Sequence, residues 1–303
     1  MRTIDKYLLS AIASMLVMIN AFGQQGPQYT QFMFNNLAIN PAYAGADEYP
    51  SVTIVARNQW TRVDNAPSTQ SLTAQALFAR RVGVGLVLVH DKIGVHKNTN
   101  AVASLAYHLR VSKKAYVSMG LQTGINNFKS DYPSLQANGN DPLLSKYVSD
   151  TKMSLGAGIY FRSSRFDAGI SAPGLLSNKF QVNDTAMVRF RNANVLGYVR
   201  YRFPLNTSFS LQPSVLIKYF PDLPMSFDAN LMIVYKQVLS TGVSYRQNES
   251  IDLVIKLQLT KKLEAGYSYD YPVGSGGYLN SSSSEVMLHY VFRKERKNIT
   301  SPR

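Results

Sequence analysis

The sequence contains no cysteine, which excludes disulfide bonds, thiolate zinc sites, cysteine nucleophiles and the acylated cysteine of a lipoprotein. Acidic residues are also few: 18 Asp and Glu stand against 32 Lys and Arg, so the formal net charge is +14. Charged residues make up 17% of the chain, below the roughly 25% usual in soluble domains. Tryptophan occurs once, whereas tyrosine occurs 19 times and phenylalanine 14 times. A composition this rich in apolar and aromatic residues excludes a disordered chain.

Only one apolar run is long, and it lies at the N-terminus. Two basic residues precede the run, which occupies residues 7–19, and the small residues Ala21 and Gly23 follow it. The run is shorter than the roughly 20 residues that a membrane-spanning helix needs, and small residues after it are typical of a signal-peptide cleavage site. We therefore expect residues 1–23 to be a signal peptide and the mature chain to be exported. Export argues against nucleic-acid binding, which a basic chain would otherwise suggest.

Apolar and polar residues alternate with a period of two through most of the remaining sequence. Ile251, Leu253 and Ile255, for example, alternate with Asp252 and other polar residues. Because side chains on a strand point alternately to opposite faces, each such segment has one apolar and one polar face. A soluble antiparallel sheet can show this pattern. Segments of about 9–11 residues with charges at mid-strand and aromatic residues at the ends favour transmembrane strands instead.

About fourteen such segments are present, and they begin near Val52, Thr69, Val82, Asn100, Ala115, Lys152, Arg165, Asn194, Ser208, Ser226, Val238, Ser250, Leu263 and Glu285. Alternate connections are short, whereas four are expected to be longer loops: Asp91 to Asn98, Asn127 to Thr151, Ser171 to Ala193, and Pro272 to Ser284. This layout predicts an all-β fold, a transmembrane antiparallel β-barrel over residues 51–293. We expect both termini and the short turns on the periplasmic side of an outer membrane, with residues 294–303 as a basic tail there.

Residues 24–50 precede the first strand and do not alternate. Four of the apolar residues fall at helical spacing, which indicates a short amphipathic helix, and Asn40-Pro41 indicates a turn after it. Exposed together, the apolar side chains would form a patch that an aqueous compartment penalises. We therefore expect them to be buried, either as a plug in the barrel mouth or against a partner. The residues of this hypothesis are Tyr29, Phe32, Met33, Phe34, Leu37, Asn40, Pro41, Tyr43 and Gly45.

The run GPQYTQFMFNNLAINPAYAGA, residues 26–46, resembles the opening signature of the PorP/SprF family, outer-membrane proteins of the type IX secretion and gliding machinery of Bacteroidota. The similarity continues through the first loop and through LEAGYSYDYPVG and SSEVMLHYVF near the end of the chain. Ser284 departs from the family pattern, in which His is expected. The residues that follow the pattern include Gln59, Trp60, Pro67, Tyr267, Tyr269, Asp270 and Glu285.

This resemblance implies a barrel with no enzymatic activity and no cofactor, needed for secretion or surface attachment of specific cargo such as a gliding adhesin. The implied partners are the C-terminal domain of the cargo, periplasmic or outer-membrane components of the machinery, and outer-membrane lipid. Two alternatives from other classes stay open. A barrel of this size can leave an open lumen and act as a general diffusion porin, and loop or lumen residues could serve an outer-membrane enzyme.

No motif of a known active site is present: G-x-S-x-G, H-E-x-x-H and the P-loop are all absent. His90 and His96 flank a predicted loop that also holds Asp91, and loop polarity is a better interpretation of them than a metal site. We predict no catalytic, cofactor-binding or metal-binding residue.

Three carboxylates, Asp252, Glu264 and Asp270, are expected on neighbouring strands. Ion pairs of these groups with Lys256 and Arg246 are a simpler interpretation than acid–base catalysis.

The basic residues concentrate in the predicted periplasmic turns. Pairs of basic residues occupy three of these turns, at 80–81, 113–114 and 261–262. They suit either solvated positions near anionic lipid headgroups or the docking of an acidic partner, and the sequence does not separate the two.

Overall fold

A computed structural model describes residues 28–47, 49–134, 147–176, 178–181, 187–190, 194–221, 223–274 and 281–293. The predicted signal peptide, the middle of the predicted 127–151 loop and the predicted basic tail lie outside these residues. Within the described part of the chain, no helix has the length and apolarity that a membrane crossing requires.

The described residues form seventeen strands. They are β1 (Ser51–Asn58), β2 (Ser68–Ala79), β3 (Val82–Ile93), β4 (His96–Ser112), β5 (Ala115–Asp131), β6 (Tyr147–Ser163), β7 (Phe166–Gly174), β8 (Asn178–Gln181), β9 (Met187–Phe190), β10 (Asn194–Tyr201), β11 (Phe203–Pro204), β12 (Phe209–Tyr219), β13 (Ser226–Tyr235), β14 (Leu239–Arg246), β15 (Ser250–Gln258), β16 (Leu263–Pro272) and β17 (Ser283–Val291).

Fourteen of these strands form a closed antiparallel barrel, which confirms the predicted fold. Strands β1 to β7 pair in sequence order, β10 joins β7 to β12, and β12 to β17 continue the order. The pairing of β1 with β17 closes the wall. Strand β11 only extends the edge of β12, and β8 and β9 form a separate hairpin. Closure gives every barrel strand a hydrogen-bonded neighbour on both sides, as the hydrocarbon of a membrane requires.

The two faces of the wall follow the predicted alternation. On β15, Leu253 points outward and is 62% exposed, whereas the preceding Asp252 points into the lumen and is 0% exposed. Aromatic side chains stand on the outer face at both ends of the barrel, as Phe227 and Tyr235 do at the two ends of β13. An apolar outer band between two aromatic girdles is the surface that a transmembrane barrel presents to lipid.

Five strands are longer than the predicted 9–11 residues, since β2 and β3 have 12 residues and β4, β5 and β6 have 17. The expected loop from Asp91 to Asn98 is therefore wrong: β3 and β4 continue through it to a tight turn at Gly94, whose φ is +58°. Beyond the lipid both faces of a strand are polar, so the period-two pattern fades although backbone pairing continues. The positive φ explains glycine at this turn.

Residues 28–47, hereafter the N-terminal segment, contain three short 3-10 helices: Phe32–Phe34, Asn36–Ala38 and Pro41–Tyr43. The expected amphipathic helix is therefore wrong. An amphipathic helix suits a segment with one solvated side, whereas this segment is buried on several sides. The expected turn at Asn40-Pro41 is present, because the Asn40 side-chain oxygen accepts a hydrogen bond from the Ala42 N–H at 2.9 Å and starts the third helix.

The barrel has a turn end, where the six connections 80–81, 113–114, 164–165, 202–208, 236–238 and 259–262 lie, and a loop end, where the other connections lie. Gln28 is at the loop end, where its side-chain oxygen accepts a hydrogen bond from Arg246 at the end of β14. Ala46 is at the turn end, where its carbonyl accepts a hydrogen bond from Arg162. The N-terminal segment thus runs along the lumen from the loop end to the turn end. The expectation that the mature chain starts at the turn end concerns residues before Gln28, which lie outside the described part of the chain. An even strand number fixes only the ends of the strands, so it does not determine where the segment before β1 runs.

Candidate functional site

The candidate site is the barrel interior where the wall meets the N-terminal segment. Lumen-facing glycines make room for this contact. A Cβ added at Gly120 would lie 2.3 Å from the Ala42 nitrogen, and one added at Gly83 would lie 1.9 Å from the Ala44 oxygen. Distances this short exclude any side chain, so the backbone of the N-terminal segment lies directly on the barrel wall.

Two apolar clusters hold the segment. Phe32 and Met33 pack among lumen-facing residues that include Tyr198 and Tyr160, and the rings of Phe32 and Tyr198 meet edge to face at 6.0 Å. On β3 and β4 the second cluster combines Leu37 and Ala44 of the segment with Val87, Val89, Val102 and Ala106. Burial of several apolar side chains at about 1.5–3 kcal/mol each stabilises this position of the segment.

The loop end of the segment is anchored by a buried carboxylate. Both oxygens of Glu285 accept hydrogen bonds at 2.9 Å, one from the Thr30 backbone N–H and one from the Gln31 backbone N–H. Glu285 is 0% exposed and Arg57, at 3.5 Å, is 2% exposed. Asp270 pairs with Arg57 at 2.7 Å and accepts a hydrogen bond from the Thr30 hydroxyl at 2.8 Å. Charge-assisted hydrogen bonds of this kind are the strong ones, so this cluster fixes where the segment begins its path.

A second basic residue completes the anchor. Arg246 donates to the Thr30 hydroxyl at 3.1 Å and lies 3.7 Å from Asp270 and 3.6 Å from Asp228. Lys218 pairs with Asp228 at 2.8 Å. Every charged group here therefore has an opposite charge close by, as burial requires.

The three carboxylates that the sequence grouped together occupy different places. Asp252 and Asp270 are register partners across β15 and β16, whereas Glu264 lies farther along β16 and pairs with Lys256 at 2.6 Å. The predicted ion pairs are confirmed for two of the three carboxylates, since Asp270 lies 3.7 Å from Arg246 and Glu264 lies 2.6 Å from Lys256. Arginine and lysine neutralise Asp270 and Glu264 and so stabilise the lumen, whereas Asp252 is fully buried without an ion pair among the described residues.

The residues of the family pattern lie in three environments. Asp270 and Glu285 belong to the anchor just described. Tyr267 and Tyr269 are on the outer face, 45% and 41% exposed. The remaining three lie in the β1–β2 connection, where the Gln59 N–H donates to the Pro67 carbonyl at 2.9 Å and the Trp60 N–H donates to the Ser283 hydroxyl at 3.3 Å.

Four contact residues took no part in the hypothesis about the segment: Thr30, Gln31, Arg57 and Arg246, of which Arg246 was predicted only as an ion-pair partner of the lumen carboxylates. Arg57 had a usable signal, because it continues the inward face of β1 after Thr53 and Val55. The sequence carried no such signal for Thr30 and Gln31, because their contacts are with strands that lie more than 200 residues away in the sequence.

Two tyrosines of the segment are held neutral. Burial raises the pKa of Tyr29 above its ordinary value, and burial followed by the nearby Asp47 carboxylate raises the pKa of Tyr43. The Tyr43 hydroxyl donates to Asp47 at 3.1 Å. Neither ring therefore adds a negative charge to the lumen at physiological pH.

The histidines of the β3–β4 hairpin do not come together as a site. His90 is exposed with its Nδ1 2.9 Å from the Thr99 hydroxyl, and the His96 Nδ1 lies 2.7 Å from the Ser130 hydroxyl. Across the described ranges, no three His, Asp or Glu side chains are grouped closely enough to hold a metal ion.

A closed antiparallel barrel with an apolar, aromatic-ended outer face defines an outer-membrane protein. The chain belongs to the family of type IX secretion system membrane proteins PorP/SprF, which it matches over residues 21–290. Both findings place the protein in the outer membrane.

Solved structures share the barrel fold at low sequence identity. A Pseudomonas aeruginosa FadL homologue is 11% identical with a TM-score of 0.51, over 89% of this chain and 96% of that one. The CymD monoaromatic hydrocarbon channel is also 11% identical with a TM-score of 0.51, over 86% and 93% of the two chains. The comparison with curated proteins found no match. These similarities support the fold alone.

Proposed function

We propose that this protein is a non-enzymatic barrel of the type IX secretion and gliding machinery that binds the C-terminal domain of a specific cargo, or a component of the machine. Membership of the family supports a role in type IX secretion. The observation that carries the proposal further is the position of the N-terminal segment, whose Ala42 and Ala44 are 0% exposed inside the lumen. A barrel whose interior is filled by its own chain is suited to holding a partner rather than to passing solutes.

The two alternatives fit the interior less well. A general diffusion porin needs an aqueous path, whereas the N-terminal segment follows the lumen from Gln28 at the loop end to Ala46 at the turn end. An enzyme needs a poised acid, base or nucleophile, whereas the anchor carboxylates are engaged by arginine, lysine and backbone N–H groups.

The test combines measurements on the purified native protein with measurements on a strain that lacks it. We expect the purified native protein to give no stable conductance in a planar bilayer, to retain cargo or machine components on isolation, and to be required for secretion of those cargo. Mass spectrometry of the isolated complex identifies the partners. Stable conductance by the native protein, together with normal cargo secretion in a strain that lacks it, would favour the porin and refute the proposal.

Deleting residues 28–45 separates two roles of the N-terminal segment. The deleted protein should remain a heat-modifiable barrel in the outer membrane. If the segment is a plug, conductance rises; if the segment is an interface, cargo secretion fails while conductance stays near zero. A closed pore with normal secretion would show that the segment is dispensable. Gly197→Ala is the matched control, because its added Cβ would be 3.8 Å from the nearest atom, in ordinary contact.

A further inference from the structure

The six turns at the turn end of the barrel carry charge of one sign. In the six short turns, which the structure describes throughout, no residue is Asp or Glu. Nine positions there are basic: Arg80, Arg81, Lys113, Lys114, Arg165, Arg202, Lys236, Lys261 and Lys262. The loop end is mixed, with Asp64 and Asp131 as well as Lys97 and Lys129. The surplus of positive charge is therefore local and creates an attractive field for anions at one end.

A cavity of about 290 Å³ lies inside the lumen next to this end. The N-terminal segment supplies one side of it through Met33 and Phe34. The wall from β10 to β16 supplies the rest, which includes serine and glutamine side chains as well as Arg202 and Gln237. Arg202 and Gln237 are exposed, so the cavity reaches the turn end.

The charged groups of the cavity leave a positive surplus. Lys256 pairs with Glu264 at 2.6 Å, and Arg200 pairs with Asp167. Among the described residues Arg202 has no carboxylate partner. Its guanidinium is a planar donor of five N–H bonds and matches a carboxylate well.

We propose that this cavity and its basic rim bind an acidic, extended peptide segment of a protein partner that approaches from the turn end. The inference rests on the proposed function and deepens it by naming the chemistry of the partner. The cavity holds roughly ten water volumes at about 30 Å³ each. That is room for a few side chains of an extended segment and not for a folded domain. Carboxylates of the segment pair with Arg202 and the rim, and its apolar side chains contact Met33 and Phe34.

Two other occupants fit the geometry poorly. Lipid headgroups lie outside the wall, whereas the cavity residues face the lumen: Met232 is 3% exposed and lines the cavity, and its neighbours Leu231 and Ile233 point outward. The C-terminal tail of this chain has the wrong charge. Residues 294–303 contain four basic residues and one acidic residue, so the rim repels them.

The experiment measures binding of a fluorescein-labelled peptide, Asp-Ser-Glu-Leu-Asp-Ser-Glu, to the purified full chain in a nonionic detergent by fluorescence anisotropy. We expect saturable binding, and none of a peptide with lysine in place of each acid. The double variant Arg202→Glu with Lys236→Glu should weaken binding by about tenfold or more. The matched control, Lys97→Glu with Lys129→Glu, makes the same charge change at the loop end and should alter binding by less than about twofold.

A cavity-filling variant separates the lumen from the surface. Ser210 lines the cavity, and Ser210→Trp should abolish binding of the peptide while the barrel stays heat-modifiable. Binding that survives Ser210→Trp, or that the loop-end control reduces as much as the turn-end variant, overturns the proposal. Displacement of the peptide by phosphatidylglycerol vesicles, with equal binding of an uncharged peptide, would assign the rim to lipid and also overturn it.

The outcomes are distinguishable from those of the proposed function. The anisotropy assay contains no cargo, so its failure removes the acidic-peptide inference and leaves the role in secretion standing. Normal cargo secretion in a strain that lacks the protein removes the proposed function instead.

Discussion

Replacing Gly120 by alanine tests directly whether the N-terminal segment presses on the barrel wall. The added Cβ would lie 2.3 Å from the Ala42 nitrogen and 2.4 Å from the Ala42 Cα. Carbon atoms in good contact are about 3.5–4.0 Å apart, so the two backbones must separate by roughly 1 Å. Overpacking of this kind costs about 1–3 kcal/mol. Because the obstacle is backbone and not the tip of a flexible side chain, we expect a cost of about 2 kcal/mol or more.

The cost should appear as release of the N-terminal segment. A single cysteine at Ala38, in this chain without cysteine, reports release through its rate of reaction with a thiol reagent. A loss of about 2 kcal/mol raises the released fraction roughly 30-fold, and labelling follows that fraction when opening and closing are fast. Gly197→Ala serves as the control, since its Cβ meets only Ile217 at 3.8 Å.

The same substitution in a variant without the N-terminal segment makes the test decisive. In the protein that lacks residues 28–45, the Cβ at position 120 has nothing from the segment to meet, so Gly120→Ala should leave the melting temperature of the barrel nearly unchanged. An equal loss of stability with and without the segment would place the strain within the wall. Equal labelling rates for the two glycine variants would likewise refute the contact.

Three further predictions follow from the anchor, the lipid face and the path of the strands. Glu285→Ala removes two hydrogen bonds from backbone N–H groups and an ion pair. The expected loss of about 3–5 kcal/mol should raise the rate at which the cysteine at position 38 reacts with the thiol reagent. Asp150→Asn, which removes an ion pair of the wall with Lys152 instead, should leave that rate unchanged. Leu253→Arg puts a charge against lipid and should lower the free energy of unfolding in vesicles by about 2–4 kcal/mol, whereas Leu253→Met should stay within about 1 kcal/mol. A cysteine at Lys97 should react with an impermeant thiol reagent on whole cells and one at Lys113 should not; the opposite result would place the turn end at the cell surface.

Much of the barrel was predictable because the membrane imposes a local rule. Lipid on one side and the lumen on the other require alternation within each strand, so Leu253 and Asp252 reveal their faces without reference to any distant residue. The alternation of apolar and polar residues is lost where a strand extends beyond the lipid. The hairpin around Gly94 continues beyond the apolar outer band, and its polar residues look like a loop although they pair as strands.

The hypothesis about residues 24–50 succeeded only in part. Clustered apolar side chains indicated burial, and Phe32 and Leu37 are indeed 1% and 2% exposed in the described segment. Helical spacing was misleading, because packing on several sides favours short 3-10 turns over one amphipathic helix. Contact of these residues with a partner, the signal peptide and the basic tail stay predictions.

The sequence by itself determined the class of fold, the fourteen barrel strands, the short turns and the resemblance to the type IX secretion family, since each depends on patterns within a few residues or on a linear signature. Only the tertiary structure decided where the N-terminal segment lies and what holds it. Thr30 meets Glu285 across 255 positions of sequence, and Ala42 meets Gly120 through the closure of a whole barrel. Contacts of that kind follow from the three-dimensional path of the chain, because the strands must close before the lumen exists for the segment to fill.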